Sequence, residues 1–315
     1  MVYSVEIINT EEKDCLFDLY GDRFLYTAKS EIYGTCIKIL TDKEYIKDRW
    51  EDNFYTMSEN LRSHGRLIVL DDGKGGSRLK YDPMTKTAFL FNFDYYGWIK
   101  SIALAVAGDL LEDNHHIYSV HGAAIDVGGK GVSLIAPSKT GKTTHAWGLL
   151  RQDEARLITD DWYFVRLSSR RPLAFGSEKN CYIDADIGKI WSQYQGLVDR
   201  AEFDAQERAV VNVRWVTGPG SVIPMTTIYE IILLKRDKND QNVVREMEPE
   251  EALEYLEEHD YCNPHQLVRD KRKMGLRKRF YRRLLEKSRV HMVNTIRSPE
   301  ETQAAIRVKL DLPDQ

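Results

Sequence analysis

The chain has 315 residues, enough for two domains that each bury a core, and its formal net charge of −4 with a pI near 6.1 offers no global attraction to nucleic acid or anionic lipid. Four cysteines, Cys15, Cys36, Cys181 and Cys262, stand far apart without a CxxC pair, which argues against a zinc knuckle or a disulfide framework and predicts buried thiols in a reducing compartment. The opening MVYSVEIINTEEKD lacks the basic start and apolar stretch of a secretion signal, and the longest apolar run, Ile102–Ala107, is too short to span a bilayer, so a soluble cytoplasmic protein without a membrane partner is expected.

Up to about Asp94, short β-prone runs (SVEII, FLYTA, CIKIL, RLIVL, AFLFNF) alternate with turn material such as DDGKGGS and YDPMTK, which predicts a small β-rich N-terminal domain over residues 1–94. Apolar residues at helical spacing in YYGWIKSIALAVAGDLL predict a helix, and with the polar EDNHH it forms a connection over residues 95–116. The aromatic DYYGWIK that opens it suits interdomain packing, because two tyrosines and a tryptophan bury a large area. From Ile117 the order is strand (YSVHGAAIDV), glycine turn, strand (GVSLIA), loop, helix (TTHAWGLL), strand (ARLITDD) and strand (WYFVRL), an α/β domain over residues 117–315. Further on, TIYEIILLK reads as a strand, and the acidic PEEALEYLEEHD precedes a strongly basic helix, Arg269–Lys287; the tail after Val308 reads as loose.

Chemistry concentrates at Ala136–Thr144, where APSKTGKTT follows an apolar strand and opens an amphipathic helix. This is the context of a phosphate loop, and Ser138, Lys139, Thr140, Gly141, Lys142, Thr143 and Thr144 are its nucleotide-binding candidates. Loop N–H groups would cradle the β-phosphate, Lys142 would neutralise β/γ charge, and the Thr143 hydroxyl would reach Mg²⁺. The position of the motif's first glycine is Ala136, which a small side chain tolerates provided φ is not positive. About eighteen residues after Lys142, an apolar strand ends in Asp160–Asp161, so one carboxylate can serve the metal while the other takes the acceptor's proton.

The stretch HGAAIDVGGKGVSLIAPSKTGKTTHAWGLL with ARLITDD resembles the catalytic core of HPr kinase/phosphorylase, and TGKTT followed by DD is also similar to ATP-dependent phosphoenolpyruvate carboxykinase. The resemblance covers roughly Val120–Leu167 and implies a C-terminal P-loop kinase domain of that type behind the β-rich domain. It implies that His121 lies near the phosphates, that Asp160 is the general base and that Asp161 binds the metal, the last two roles being exchangeable. Two features depart from the family: Lys139 stands where glycine is typical, and no counterpart of the Arg-Gly segment for phosphocarrier docking follows. The chain is also much shorter than the carboxykinase and shows none of its oxaloacetate-site motifs. The resulting expectation is a kinase that uses ATP or another nucleotide with Mg²⁺ to phosphorylate a hydroxyl, of a small molecule in preference to a protein serine. Closed rings of subunits in the resembled family imply a possible homo-oligomer.

Several further residues are candidates on weaker grounds. An imidazole at His121 near a γ-phosphate can donate a hydrogen bond, although a satisfied core histidine accounts for it equally well. The polar GSEKNCY, just after the Asp-Asp strands, offers Glu178 and Lys179 as acceptor contacts, with a solvated turn as the plain alternative. In the basic helix, Arg277 or Arg279 could clamp transferring charge. That helix also suggests an RNA-binding alternative, against which stands pairing with the acidic stretch before it. A nucleotide-binding switch or ATPase without an acceptor is the other competing reading.

Overall fold

The computed structural model describes residues 3–312. In the first third, β1 (Val5–Ile7), β2 (Tyr26–Ile32), β3 (Thr35–Thr41), β4 (Tyr55–Thr56), β5 (Gly65–Leu70), β6 (Arg78–Asp82) and β7 (Thr87–Phe91) form one sheet in the order β1-β6-β7-β5-β3-β2-β4. All five β-prone runs are strands, but the domain is mixed α/β and not simply β-rich. Strands β3, β5 and β7 run parallel, and parallel neighbours need crossovers. Helix α2 (Glu44–Asn53) makes one of them, between β3 and β5. Helix α1 (Thr10–Tyr20) lays Leu16, Phe17 and Tyr20 on Ile68, Leu70, Phe89 and Phe91. Five of its eleven residues are charged, which hid the periodicity. The legible signal was the capping box, in which the Asn9 side chain accepts from the Glu12 N–H and Glu12 reaches back to the Asn9 N–H.

Helix α3 (Tyr96–His115) is apolar almost all round and is accordingly buried on all sides. It packs against β5 of the first sheet and β8 (Tyr118–Val127) of the second. One core cluster therefore runs from Ile37, Leu67 and Leu90 through Ile102 and Val106 to Trp162 and Phe164.

The second sheet has eight strands: β8, β9 (Lys130–Ile135), β10 (Ala155–Thr159), β11 (Trp162–Arg166), β12 (Leu173–Gly176), then β15 (Met225–Lys235), β16 (Val244–Met247) and β17 (Arg289–Asn294). Between them β13 (Cys181–Asp184) and β14 (Arg208–Val211) make a separate antiparallel pair. The helices of this half are α4 (Lys142–Leu149), the short α5 (Ile187–Ile190), α6 (Gln195–Val198) and α7 (Arg214–Thr217), then α8 (Pro249–Glu258), α9 (Lys271–Glu286) and α10 (Pro299–Lys309). Strands β9, β15 and β17 are parallel, so their carboxyl ends share one edge, the edge where α/β sheets bind ligands. Strands β10 and β11 follow each other along β8 with a one-residue slip, and Asp160–Asp161 is the link between them.

Three expectations change. Cys15 is exposed, while Cys36, Cys181 and Cys262 are buried thiols as expected. The segment beyond Val308 is not loose at its start, since Leu310 packs into the core beside α10 and Leu312 leans on the same cluster; residues 313–315 lie outside the described ones. The basic helix is α9, and it pairs with acids from two directions, as described below. Among the described residues no helix is long and apolar enough to cross a membrane.

Candidate functional site

The loop between β9 and α4 has the backbone of an anion cradle. Lys139 and Gly141 both take left-handed φ, +66° and +100°, and alternation of that kind turns successive N–H groups inward. Gly141 meets this at no cost, whereas Lys139 carries a side chain where the resembled family has glycine. Ala136 is not among the positive-φ residues, which is why its methyl group is tolerated. The Thr140 hydroxyl donates to the Pro137 carbonyl at 2.7 Å, and Thr295, just beyond β17, donates to the Thr140 carbonyl at 2.8 Å. The loop is thus braced from within and from the neighbouring strand. No side chain caps α4, so its first N–H groups remain free to meet an anion.

In the link between β10 and β11 the two aspartates take different partners, Asp160 the Trp147 indole and Asp161 the ammoniums of Lys142 and Lys100. Opposite them on β8, the Gly122 N–H donates to the Asp161 carbonyl at 2.9 Å, and a Cβ at Gly122 would stand 2.6 Å from the Leu134 carbonyl oxygen. The His-Gly pair is therefore a close-approach glycine that sets His121 beside the aspartates.

Asp161 faces the cleft. Its Oδ1 lies 2.5 Å from the Lys142 ammonium and its Oδ2 lies 2.9 Å from that of Lys100. Burial alone would raise its pKa, but the two ammoniums, with His121 adding to them, outweigh burial and hold the carboxyl well below the usual range. The His121 Nδ1 sits 2.6 Å from the Cys262 carbonyl, to which it donates, and Nε2 lies between Asp161 Oδ1 at 3.3 Å and the Lys142 ammonium at 3.4 Å.

Asp160 lines the same cleft, with its carboxylate turned under α4. It is 4% exposed and accepts from the Trp147 indole N–H at 3.3 Å. Trp147 stands one turn below Thr143, on the same face of α4. Burial, and then the neighbouring Asp161, push the Asp160 pKa up. A buried carboxylate short of counter-charge fits a divalent cation, whose arrival would reverse that shift. Among the described residues no group of three or more His, Cys, Asp or Glu side chains converges on a metal position.

Lys100, His121, Asp160 and Asp161 line one cleft of about 520 Å³. Pro137, Ser138 and Thr143 form its phosphate-loop end, and Tyr95, Trp98, Tyr182 and Arg208 form the far wall. A third side is the segment His259–His265, where Asp260, Tyr261 and Cys262 all take left-handed φ of 51–54°. Three consecutive residues in that region are costly, and the Arg269–Asp260 ion pair at 2.7 Å helps hold them. Their conformation presents the Cys262 carbonyl to His121. No glycine or motif in EHDYCNPH announces it.

Other candidates lie elsewhere. Glu178 sits behind Lys100 at 3.0 Å and accepts from the Asn53 amide at 2.9 Å, and burial pushes its pKa up to about 6. Lys179 donates to the Glu51 carbonyl at 2.5 Å, so this pair ties the second half to α2 and does not line the cleft. The Thr144 carbonyl accepts from Trp191. Arg277 is taken up by Gln266 at 2.7 Å, the Val268 carbonyl at 2.8 Å and Glu112 at 3.4 Å, and neither it nor Arg279 reaches the cleft wall. A different arginine approaches the loop. Arg236, at the end of β15, bonds Thr295 through Nε at 3.3 Å, and its guanidinium comes within 3.8 Å of where a Gly141 Cβ would be.

Sequence reasoning missed Lys100 entirely. Its signal was a single cation inside an otherwise apolar helix, and the segment assigned to packing supplies a site residue. Stability should also follow His145, which packs on Gly141 and is 3% exposed. Burial, with Arg236 nearby, holds its pKa down to about 4 from 6.5. Below pH 6.5 the unfolded imidazole takes a proton that the folded one refuses. Folding stability should therefore be full above 6.5 and fall by on the order of 3 kcal/mol as pH drops towards 4. Urea denaturation across that range should show this loss, and His145→Gln should flatten it.

Compared with known proteins, the chain matches no family model and no curated sequence.

Proposed function

We propose that the chain is a phosphotransferase of the HPr kinase/phosphoenolpyruvate carboxykinase type that moves the γ-phosphoryl group of a nucleotide to a hydroxyl. The observation that carries this reading is the 2.5 Å contact between Lys142 and Asp161 at the mouth of the loop. In this reading a lysine that awaits phosphate rests on a carboxylate that becomes a better proton acceptor when that lysine leaves, beside a cleft that His121, Ser138 and Thr143 share.

In this reading the loop N–H groups and the start of α4 hold the β-phosphate, and Lys142 turns onto β/γ charge. Thr143 and Asp160 would hold Mg²⁺, which when bound neutralises charge on the phosphates. The acceptor oxygen forms a bond to the γ-phosphorus as the bond to the β-bridging oxygen breaks, and its proton passes to Asp161. The nucleoside diphosphate leaves. These roles exchange the two aspartates relative to the family-based expectation: both line the cleft, but Asp161 carries the Lys142 and Lys100 contacts, whereas Asp160 lies under the Thr143 face of α4. Catalysis is then positioning and fixed charge. A cleft of about 520 Å³ that must also admit phosphates supports a small hydroxyl-bearing molecule over a protein serine.

The test is transfer of γ-label from ATP or GTP, with Mg²⁺, to a panel of sugars, polyols, hydroxy acids and seryl peptides. Label in a small-molecule acceptor is the expected result. Nucleotide binding accompanied only by release of inorganic phosphate across the panel would overturn the kinase reading in favour of an ATPase or switch.

A further inference from the structure

We infer that Lys100 is a positioning residue for phosphoryl transfer: it holds Asp161 after Lys142 leaves that carboxylate for phosphate. The inference rests on the function proposed above.

One ammonium cannot serve Asp161 and the β/γ-phosphates at once. In the structure Asp161 divides its two oxygens, Oδ1 to Lys142 at 2.5 Å and Oδ2 to Lys100 at 2.9 Å. If Lys142 were its only cation, moving that lysine to phosphate would strand a largely buried carboxylate without a partner, which is strongly unfavourable. His121 does not replace it: its Nε2 lies 3.3 Å from Oδ1, the oxygen that Lys142 leaves, and one imidazole contact is not a fixed buried cation. Lys100 can. It is 2% exposed and fixed from behind by Glu178 at 3.0 Å, whose other oxygen contacts no further cation and whose bonded oxygen is held by Asn53 of α2 at 2.9 Å. With this second cation in place, Lys142 moves between carboxylate and phosphate while Asp161 stays paired and aimed at the acceptor. The nucleotide site is thereby completed by α3 and, through Asn53, by the first sheet's helices. That dependence gives a reason for the otherwise expensive burial of a lysine in an apolar helix.

The experiment is metal-free ADP binding in EDTA by calorimetry, which needs no acceptor. In Lys100→Met, Asp161 should keep Lys142, and affinity should fall at least about tenfold, the worth of one charge-assisted hydrogen bond. Asp161→Asn in the Lys100→Met background should return affinity to wild-type level or better, since Lys142 is then free. A role confined to folding would not be suppressed in this way, and a general effect of losing positive charge would be reversed equally by Glu178→Gln in that background. Lys100→Met/Glu178→Gln removes the buried carboxylate left behind, guards against misfolding and should show the same loss as Lys100→Met. Wild-type affinity in Lys100→Met, or a loss that persists with Asp161→Asn, overturns the role. Wild-type protein that binds no nucleotide overturns the phosphotransfer reading itself and is distinguished by that result.

Discussion

Asp161→Asn should bind nucleotide at least as well as the wild type and transfer phosphoryl groups roughly 10²- to 10⁴-fold more slowly, the range that a positioned proton acceptor contributes. The amide keeps the shape of the carboxylate and can still accept from one lysine, so the cleft survives. What disappears is the negative charge that can take the acceptor's proton and that Lys142 grips in the absence of phosphate. The pattern to measure is a fall in kcat with little change in the dissociation constant of the nucleotide. Lys142→Met should fail differently, by losing the nucleotide. If Asp161→Asn transfers within tenfold of the wild type while Asp160→Asn does not, the assignment of the two aspartates reverts to the family-based one.

The largest structural effect should come from Lys273→Met. The Lys273 ammonium is 1% exposed on α9 and lies 2.7 Å from Asp109, 2.8 Å from Glu112 and 2.9 Å from Asp113, all on α3. Lys86, from the turn between β6 and β7, joins at 2.5 Å from Asp109 and 2.7 Å from Asp113. Removing Lys273 leaves carboxylates buried and under-paired, at a cost of about 3–5 kcal/mol. For a chain of this size that corresponds to a thermal midpoint lower by roughly 5–8 °C. Arg282→Met on the same helix is the control. Its partner Glu250, at 2.9 Å, is exposed, and exposed pairs contribute little, so the melting curve should barely move. Near-equal curves for the two variants would show that the α3–α9 ion cluster does not hold the halves together.

That contrast explains why the basic helix was hard to interpret from its composition. Lys278 pairs with Glu257 at 2.8 Å and Arg282 with Glu250, as pairing with the preceding acidic stretch anticipated. The buried cations on its inner face instead answer acids of α3, more than a hundred residues earlier in the chain. A run of charge reports neither which face is buried nor which distant carboxylate it meets. The first domain shows a related limit. Every apolar run there became a strand, because alternation is a local property, whereas parallel pairing and the helices it requires depend on which strands become neighbours.

The turn between β9 and α4, the helix after it and the Asp160–Asp161 link were legible in the sequence because each depends on neighbouring residues: glycine for a left-handed turn, lysine and threonine at a helix start, carboxylates at a strand end. Tertiary structure alone decided which aspartate meets the two lysines, that Lys100 reaches Asp161 across 61 positions and that Cys262 fixes the His121 ring across 141. Local pattern specifies backbone geometry. The charge state and aim of a buried side chain are set by whatever the fold packs around it, and that information resides in no single segment.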